Sequence, residues 1–207
     1  MFFCDSDSNI DGFTSKKESL DDITDTILPD VVTLNETLLT GKRAIKKKKY
    51  MSFCKNRDDS KEGGGVATLV ADYLRPDTVK VGEGTEGDEY VIVRLGHVIP
   101  AVNIVNIYGD IESRAGGKDK ILEKWIRLRK AVKEIKERGE GIVLIGDMNR
   151  HIGCGQYGVT GNSYEVSYGG QLVRELLQTE EFVLLNNLSL AEGRELLPLT
   201  CPQVRGP

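Results

Sequence analysis

The sequence is poor in the residues that build zinc sites, disulfide scaffolds and membrane spans. Its four cysteines, Cys4, Cys54, Cys154 and Cys201, lie far apart and form no Cys-x-x-Cys pair, which argues against zinc. A disulfide framework is not expected in a chain of 207 residues whose start, Met1-Phe2-Phe3-Cys4-Asp5, has neither the basic region nor the apolar core of a secretory leader. No apolar run approaches the roughly 18 residues of a membrane-spanning helix. The expected compartment is therefore intracellular and reducing. Histidine is scarce: His97 and His151 are the only two, and neither lies late in the chain. Repeats and low-complexity segments are absent. Gly63-Gly64-Gly65 is not followed by the Lys-Ser/Thr of a nucleotide-binding loop, and it reads as a turn entering a strand. The net charge of −4 and pI near 5.4 do not favour a general nucleic-acid coat, and they leave open an enzyme with one local basic surface.

What is present is an alternation of short apolar runs and amphipathic segments. Residues 19–28 predict a helix, with Leu20, Ile23, Ile27 and Leu28 at helical spacing and Pro29 as the stop. Residues 31–34, 66–71, 79–81, 90–95, 102–108, 142–145 and 182–185 read as strands. Along 102–108 both faces are apolar, with Val102, Ile104 and Asn106 on one side and Asn103, Val105 and Ile107 on the other, so that strand should be covered on both sides. Residues 118–138 form the clearest helix, with Ile121, Trp125, Leu128, Val132 and Ile135 as its core stripe and Gly139 as its end. A second helix is marked by Leu172, Val173, Leu176 and Leu177. The run 42–49 carries six basic residues in eight positions and reads as a solvated hairpin loop, with a DNA-backbone contact as the alternative. Residues 153–169 read as a long functional or mobile loop. This order predicts two packed mixed sheets with helices outside, a layered α/β sandwich.

Catalytic groups in such folds collect where strands run into loops. Four such places carry oxygen or amide side chains: Asn9-Ile10-Asp11-Gly12, Leu34-Asn35-Glu36-Thr37, Asn106-Ile107-Tyr108-Gly109 and Gly146-Asp147-Met148-Asn149. Carboxylates suit Mg²⁺, which takes one or two of them together with water and substrate phosphate. A carboxylate can also activate a water, while amides and a phenol can hold a phosphate. Each piece alone has a plain reading. Asp147-x-Asn149 is an ordinary Asx-turn, Glu36 a loop residue, Asn9 a turn residue and Tyr108 a packing residue. Their occurrence together at strand ends favours a site.

The same segments, with Pro29-Asp30-Val31-Val32, Gly64-Gly65-Val66-Ala67 and Val105-Asn106-Ile107-Tyr108 in order, resemble the endonuclease/exonuclease/phosphatase family. Lys16-Lys17-Glu18-Ser19-Leu20, Leu38-Leu39-Thr40-Gly41-Lys42, Ile107-Tyr108-Gly109 and Ser167-Tyr168-Gly169-Gly170 bring the wording closest to its non-LTR retrotransposon branch. The resemblance implies a four-layer α/β sandwich over residues 1–193, incomplete at its C-terminus, followed by a divergent tail at 194–207. It implies Glu36 and Asn9 at a Mg²⁺ site that also accepts Mn²⁺. It places Tyr108 on the phosphate and Asp147 with Asn149 on the nucleophile and transition state. His151 falls in a supporting loop. DNA is the implied substrate, the implied state a monomer off the membrane, and the compartment the nucleus if the chain belongs to a retrotransposon polyprotein. The family's late Ser-Asp-His segment is missing, so a truncated and inactive remnant that at most binds nucleic acid is the alternative. A phosphatase acting on lipid or nucleotide substrates is a third reading.

Overall fold

The computed structural model describes residues 3–4, 13–57, 63–74, 78–81, 90–109, 118–153 and 165–183. Asn9 and residues 194–207 lie outside the described residues, as do most of the 153–169 loop and the second half of the strand expected at 182–185. The chain divides into two compact units. One is Met1–Ile111 with Ile126–Asn149, and the other is Glu112–Trp125 with Arg150–Pro207.

The first unit holds two four-stranded mixed sheets. One contains β1 (Phe3–Cys4), β2 (Val31–Asn35), β3 (Tyr50–Lys55) and β4 (Val66–Ala71), in the order β1-β2-β4-β3. The other contains β5 (Thr78–Val81), β6 (Tyr90–Leu95), β7 (Val102–Ile107) and β8 (Gly141–Ile145), in that order. Between the sheets, Val31, Val66 and Val70 pack with Val91, Val93, Leu95 and Ile104 in one buried cluster. The β-branched residues suit strands because their stiff side chains pack well on a pleated surface. The reverse face of β7 is covered too, since Asn103, Val105 and Ile107 are all buried. Polar side chains enter this core as well, among them Asn106. Asn106 donates from Nδ2 to the backbone oxygens of Leu34 at 3.3 Å and Ala67 at 2.9 Å, on the opposite sheet.

Helix α1 (Phe13–Thr26) covers the outer face of the first sheet. Its Phe13 and Leu20 pack with Val32, Leu34, Leu39, Ile45, Ala67 and Leu69. The helix starts six residues before the sequence suggests, because Lys16-Lys17-Glu18 shows no apolar period. It also ends sooner: Ile27 and Leu28 are exposed, and Leu28 turns left-handed at φ 52° ahead of Pro29. Buried Thr24 takes the inward place instead, donating to the carbonyl of Leu20 at 2.7 Å.

Two further expectations need correction. Residues 50–55 form the edge strand β3, unmarked in the sequence because its residues are half-exposed and follow a lysine run. The 42–49 run is consequently no hairpin: β4 separates β2 from β3, so this segment crosses between strands that are not neighbours. Lys47 within it is tied to α1 by Asp21 at 2.8 Å and Asp25 at 3.0 Å. β8 is half-buried throughout, because it stands at the end of its sheet among the described residues.

Helix α2 (Lys118–Glu137) buries its stripe of Ile121, Trp125, Leu128, Val132 and Ile135 as its 3.6-residue period requires. In the second unit, α3 (Tyr168–Thr179) is capped by Ser167, whose hydroxyl accepts from the Gly170 amide at 3.0 Å. None of the helices among the described residues is long and apolar enough to cross a membrane.

At the start of β8 the second sheet is closed by Glu140. Its carboxylate, 9% exposed, accepts from Arg94 at 2.8 Å, Asn103 at 2.9 Å and Arg138 at 3.1 Å. The hydrogen bond from Arg138, with those from Asn103 and Arg94, holds its pKa down to about 2. A depressed carboxylate stabilises the fold above its unfolded pKa near 4.5, and that contribution is lost as pH falls toward 2. We expect Glu140→Gln to lower stability at pH 7 by about 2 kcal/mol, the worth of a charge-assisted hydrogen-bond set with one partner half-exposed. Urea midpoints at pH 7 and pH 3 check this, since the gap between wild type and variant should shrink at the lower pH.

Candidate active site

β7 and β8 run parallel, with Asn106 opposite Ile145, so Tyr108 and Asp147 emerge at the same edge. Two glycines allow these strand ends to touch. A Cβ on Gly146 would stand 1.9 Å from the Ile107 oxygen, and one on Gly109 would stand 2.1 Å from the Met148 oxygen. Gly146 also has φ 131°, a conformation that L side chains rarely adopt. The amide of Gly109 donates to the Asp147 oxygen at 2.8 Å and completes the junction.

Glu36 follows β2 and reaches this edge from the other sheet. The Tyr108 hydroxyl donates to Glu36 Oε1 at 2.5 Å. Burial, followed by the adjoining Glu36 carboxylate, pushes the Tyr108 pKa far above the ordinary phenol value, and the charge of Asp147 adds to the rise. Tyr108 is therefore a neutral donor at any physiological pH. Asp147 Oδ1 accepts from the Asn149 amide at 2.8 Å, which is the Asx-turn anticipated from the sequence. Asn149 Nδ2 donates to the Gly109 oxygen at 2.8 Å and so spans both strand ends.

The backbone around these groups is constrained. Glu36, Leu38 and Asn149 have φ of 54°, 53° and 48°, left-handed values that cost a non-glycine residue about 1 kcal/mol or more. Such values persist where the surroundings over-determine them. Thr37 and Leu38 donate their amides to the oxygens of Gly65 and Gly64, both at 3.1 Å, and Phe13 at the start of α1 donates to the Thr37 oxygen at 3.0 Å.

Of the residues singled out in the sequence, Glu36, Tyr108, Asp147 and Asn149 thus converge on one edge of the first unit, while Asn9 lies outside the described residues. His151 belongs to the second unit, where its backbone oxygen accepts from Ser167. Sequence reasoning missed Gly63, whose Cβ position lies 3.8 Å from the Tyr108 hydroxyl and 3.9 Å from Glu36 Oε1. The triple glycine was the available signal, but it pointed to a turn and not to what the turn faces.

The model of the endonuclease/exonuclease/phosphatase family matches residues 8–186. The chain belongs to this family. Among curated protein sequences none matches the chain. Solved structures with the same fold include the Xenopus laevis APE2 catalytic domain, at 19% identity and TM-score 0.60, covering 81% of this chain and 65% of that one. Another is a 3′ phosphatase, NExo, from Neisseria bound to a product DNA hairpin, at 17% identity and TM-score 0.58, covering 82% and 68%. A third is the AP endonuclease LMAP from Leishmania major, at 14% and 0.60, covering 81% and 62%. At these identities the likeness establishes the fold. The family member described here spans about two thirds of the length of each. The expected two-sheet α/β sandwich is the family's architecture.

The side chains at the edge also suit the divalent cation that the family uses. Glu36 and Asp147 offer carboxylate oxygens and Asn149 an amide oxygen, with no thiol or imidazole. That is a hard-oxygen set, the donor type that Mg²⁺ takes together with water and phosphate oxygens.

Proposed function

We propose that the chain is a Mg²⁺-dependent phosphodiesterase domain that nicks DNA, as in the endonuclease of non-LTR retrotransposons. The observation carrying this reading is the meeting of the Glu36 carboxylate and the Tyr108 hydroxyl at 2.5 Å, at the edge where Asp147 and Asn149 emerge, in a chain of this family. The retrotransposon assignment is supported by the wording of 16–20, 38–42, 107–109 and 167–170 alone.

Glu36 would hold the metal, with Asn9 as a second contact, and Mn²⁺ would substitute. The bound ion supplies a Lewis acid that offsets charge growing on the phosphoryl oxygens. The chain's own groups do the rest. Asp147, fixed by its Asx-turn, orients a water and takes its proton as the oxygen attacks phosphorus. The P–O bond opposite breaks and leaves a phosphate on one strand end, while the departing oxygen takes a proton from solvent water and becomes the hydroxyl of the other. Tyr108 keeps its proton, and an arriving phosphate oxygen competes with Glu36 for it. Asn149, anchored to Gly109, presents its amide beside the same oxygen and needs no reorganisation as charge develops.

Plasmid nicking tests the proposal. Purified chain with Mg²⁺ should convert supercoiled DNA to the nicked form, and EDTA should abolish the conversion. Equal nicking in EDTA, or none in Mg²⁺, would refute it.

A further inference from the structure

Beside the segment carrying Glu36, an open hollow of about 400 Å³ is lined by Lys42, Arg43, Lys55 and Arg57, with no carboxylate among the described residues of its lining. We propose that it is a second anion site, away from the Glu36–Tyr108–Asp147 edge, that holds a backbone phosphate of a polynucleotide. The identity of the anion rests on the nuclease reading above; the site itself does not.

The hollow is built. Asn56 Nδ2 donates to the oxygens of Gly41 at 2.7 Å and Arg43 at 2.8 Å, which joins its two walls. Thr40 and Arg57 pair as a parallel bridge, and the Arg57 amide donates to the Leu39 oxygen at 3.1 Å. These bonds fix the cationic segment against the end of β3, so a phosphate arriving there meets charges already in place. Among the described residues, Lys42, Arg43 and Lys55 pair with no acidic side chain. Lys47, three residues beyond the hollow's Ala44, is by contrast consumed by Asp21 and Asp25.

Charge argues for a polyanion. The chain as a whole carries −4, so its general field repels nucleic acid, and the cations of Lys42, Arg43, Lys55 and Arg57 gathered at the hollow counter that field at one place. Distance argues for the same strand that reaches the edge. Lys42 is six residues from Glu36, which an extended chain spans in at most about 21 Å. At about 3.4 Å of rise per nucleotide, that is some six steps of one strand. A phosphate contact at this range positions the duplex without reading its sequence.

The test uses the full chain in EDTA, with a fluorescent 20-mer duplex titrated over a NaCl series. Lys42→Gln with Arg43→Gln, both exposed, should weaken binding about tenfold at low salt. The double substitution should make the slope of log Kobs against log[salt] shallower by about 2. Lys42→Arg with Arg43→Lys should restore both, which separates charge from folding, and melting curves confirm that the variants fold. An unchanged slope overturns the proposal. So does inorganic phosphate binding that the Gln pair removes while duplex binding stays at wild type, since the anion would then be a free phosphate. Hydrolysis of a small phosphodiester with Mg²⁺ runs in parallel, where the Gln pair should match wild type. Altered slope with no hydrolysis by any form would leave the site standing and remove the enzyme reading. Hydrolysis with an unmoved slope would do the reverse.

Discussion

Glu36→Ala should reduce Mg²⁺-dependent nicking by about a thousandfold, roughly 4 kcal/mol of transition-state stabilisation, while leaving the fold intact. Loss on this scale is expected for a metal-holding carboxylate. A group that only steadied Tyr108 would cost far less. Glu36→Gln sharpens the distinction. The amide oxygen can still accept from the Tyr108 hydroxyl, so the geometry survives, but the charge that attracts the cation is gone. We expect Gln to be nearly as inactive as Ala. Initial nicking rates over a Mg²⁺ series check both. If Glu36→Gln retained more than about a tenth of the wild-type rate at saturating Mg²⁺, the carboxylate would not be the metal's anchor. DNA affinity measured in EDTA should not fall in either variant, because each removes a negative charge from a surface that faces phosphate.

Gly146→Ala should be the most damaging single-methyl change in the first unit. The new Cβ would meet the Ile107 oxygen at 1.9 Å, a backbone atom that cannot swing aside, in a residue already at φ 131°. The strands must part or the turn must refold. We expect a loss of about 3–4 kcal/mol, or a melting temperature lower by about 10 °C in a chain of this size. Because the same junction sets Asp147 beside Tyr108, activity should fall even at temperatures where the variant is folded. Gly139→Ala provides the comparison. Gly139 also has a positive φ, at 68°, but a Cβ there meets nothing within 4 Å. It should cost about 1–2 kcal/mol, from backbone conformation alone, and leave activity unchanged. Thermal melts and nicking rates of the two variants, side by side, separate strain from collision. Equal losses would mean that the close approach at Gly146 has little energetic weight.

How far this site could be read from sequence depends on the range of the interactions that make it. Asp147 and Tyr108 were legible because each ends an apolar run, and strand ends are local. Glu36 was legible for the same reason. The joining of these ends was not. It depends on Gly109 and Gly146 admitting a neighbouring backbone, and a glycine looks the same in sequence whether it faces solvent or another strand. The first two turns of α1 were hidden because Phe13 finds its partners on the sheet and not within its own helix. β3 was hidden because an edge strand can be half-exposed and so lacks a clean alternation. The 42–49 lysines gave the opposite difficulty. As a string they are alike, yet Lys47 is held by two aspartates of α1 while Lys42 borders a hollow that it shares with Arg43, Lys55 and Arg57.

The amide of Asn106 has a use beyond filling a gap in the core. Leu34 lies two residues before Glu36, and Asn106 lies two residues before Tyr108. A single side chain thus acts as a dowel between the sheets, one pleat behind the pair it aligns. Valines packed face to face would tolerate a slide of an ångström or so. A hydrogen bond to a fixed carbonyl does not, and the carboxylate and the phenol inherit that alignment.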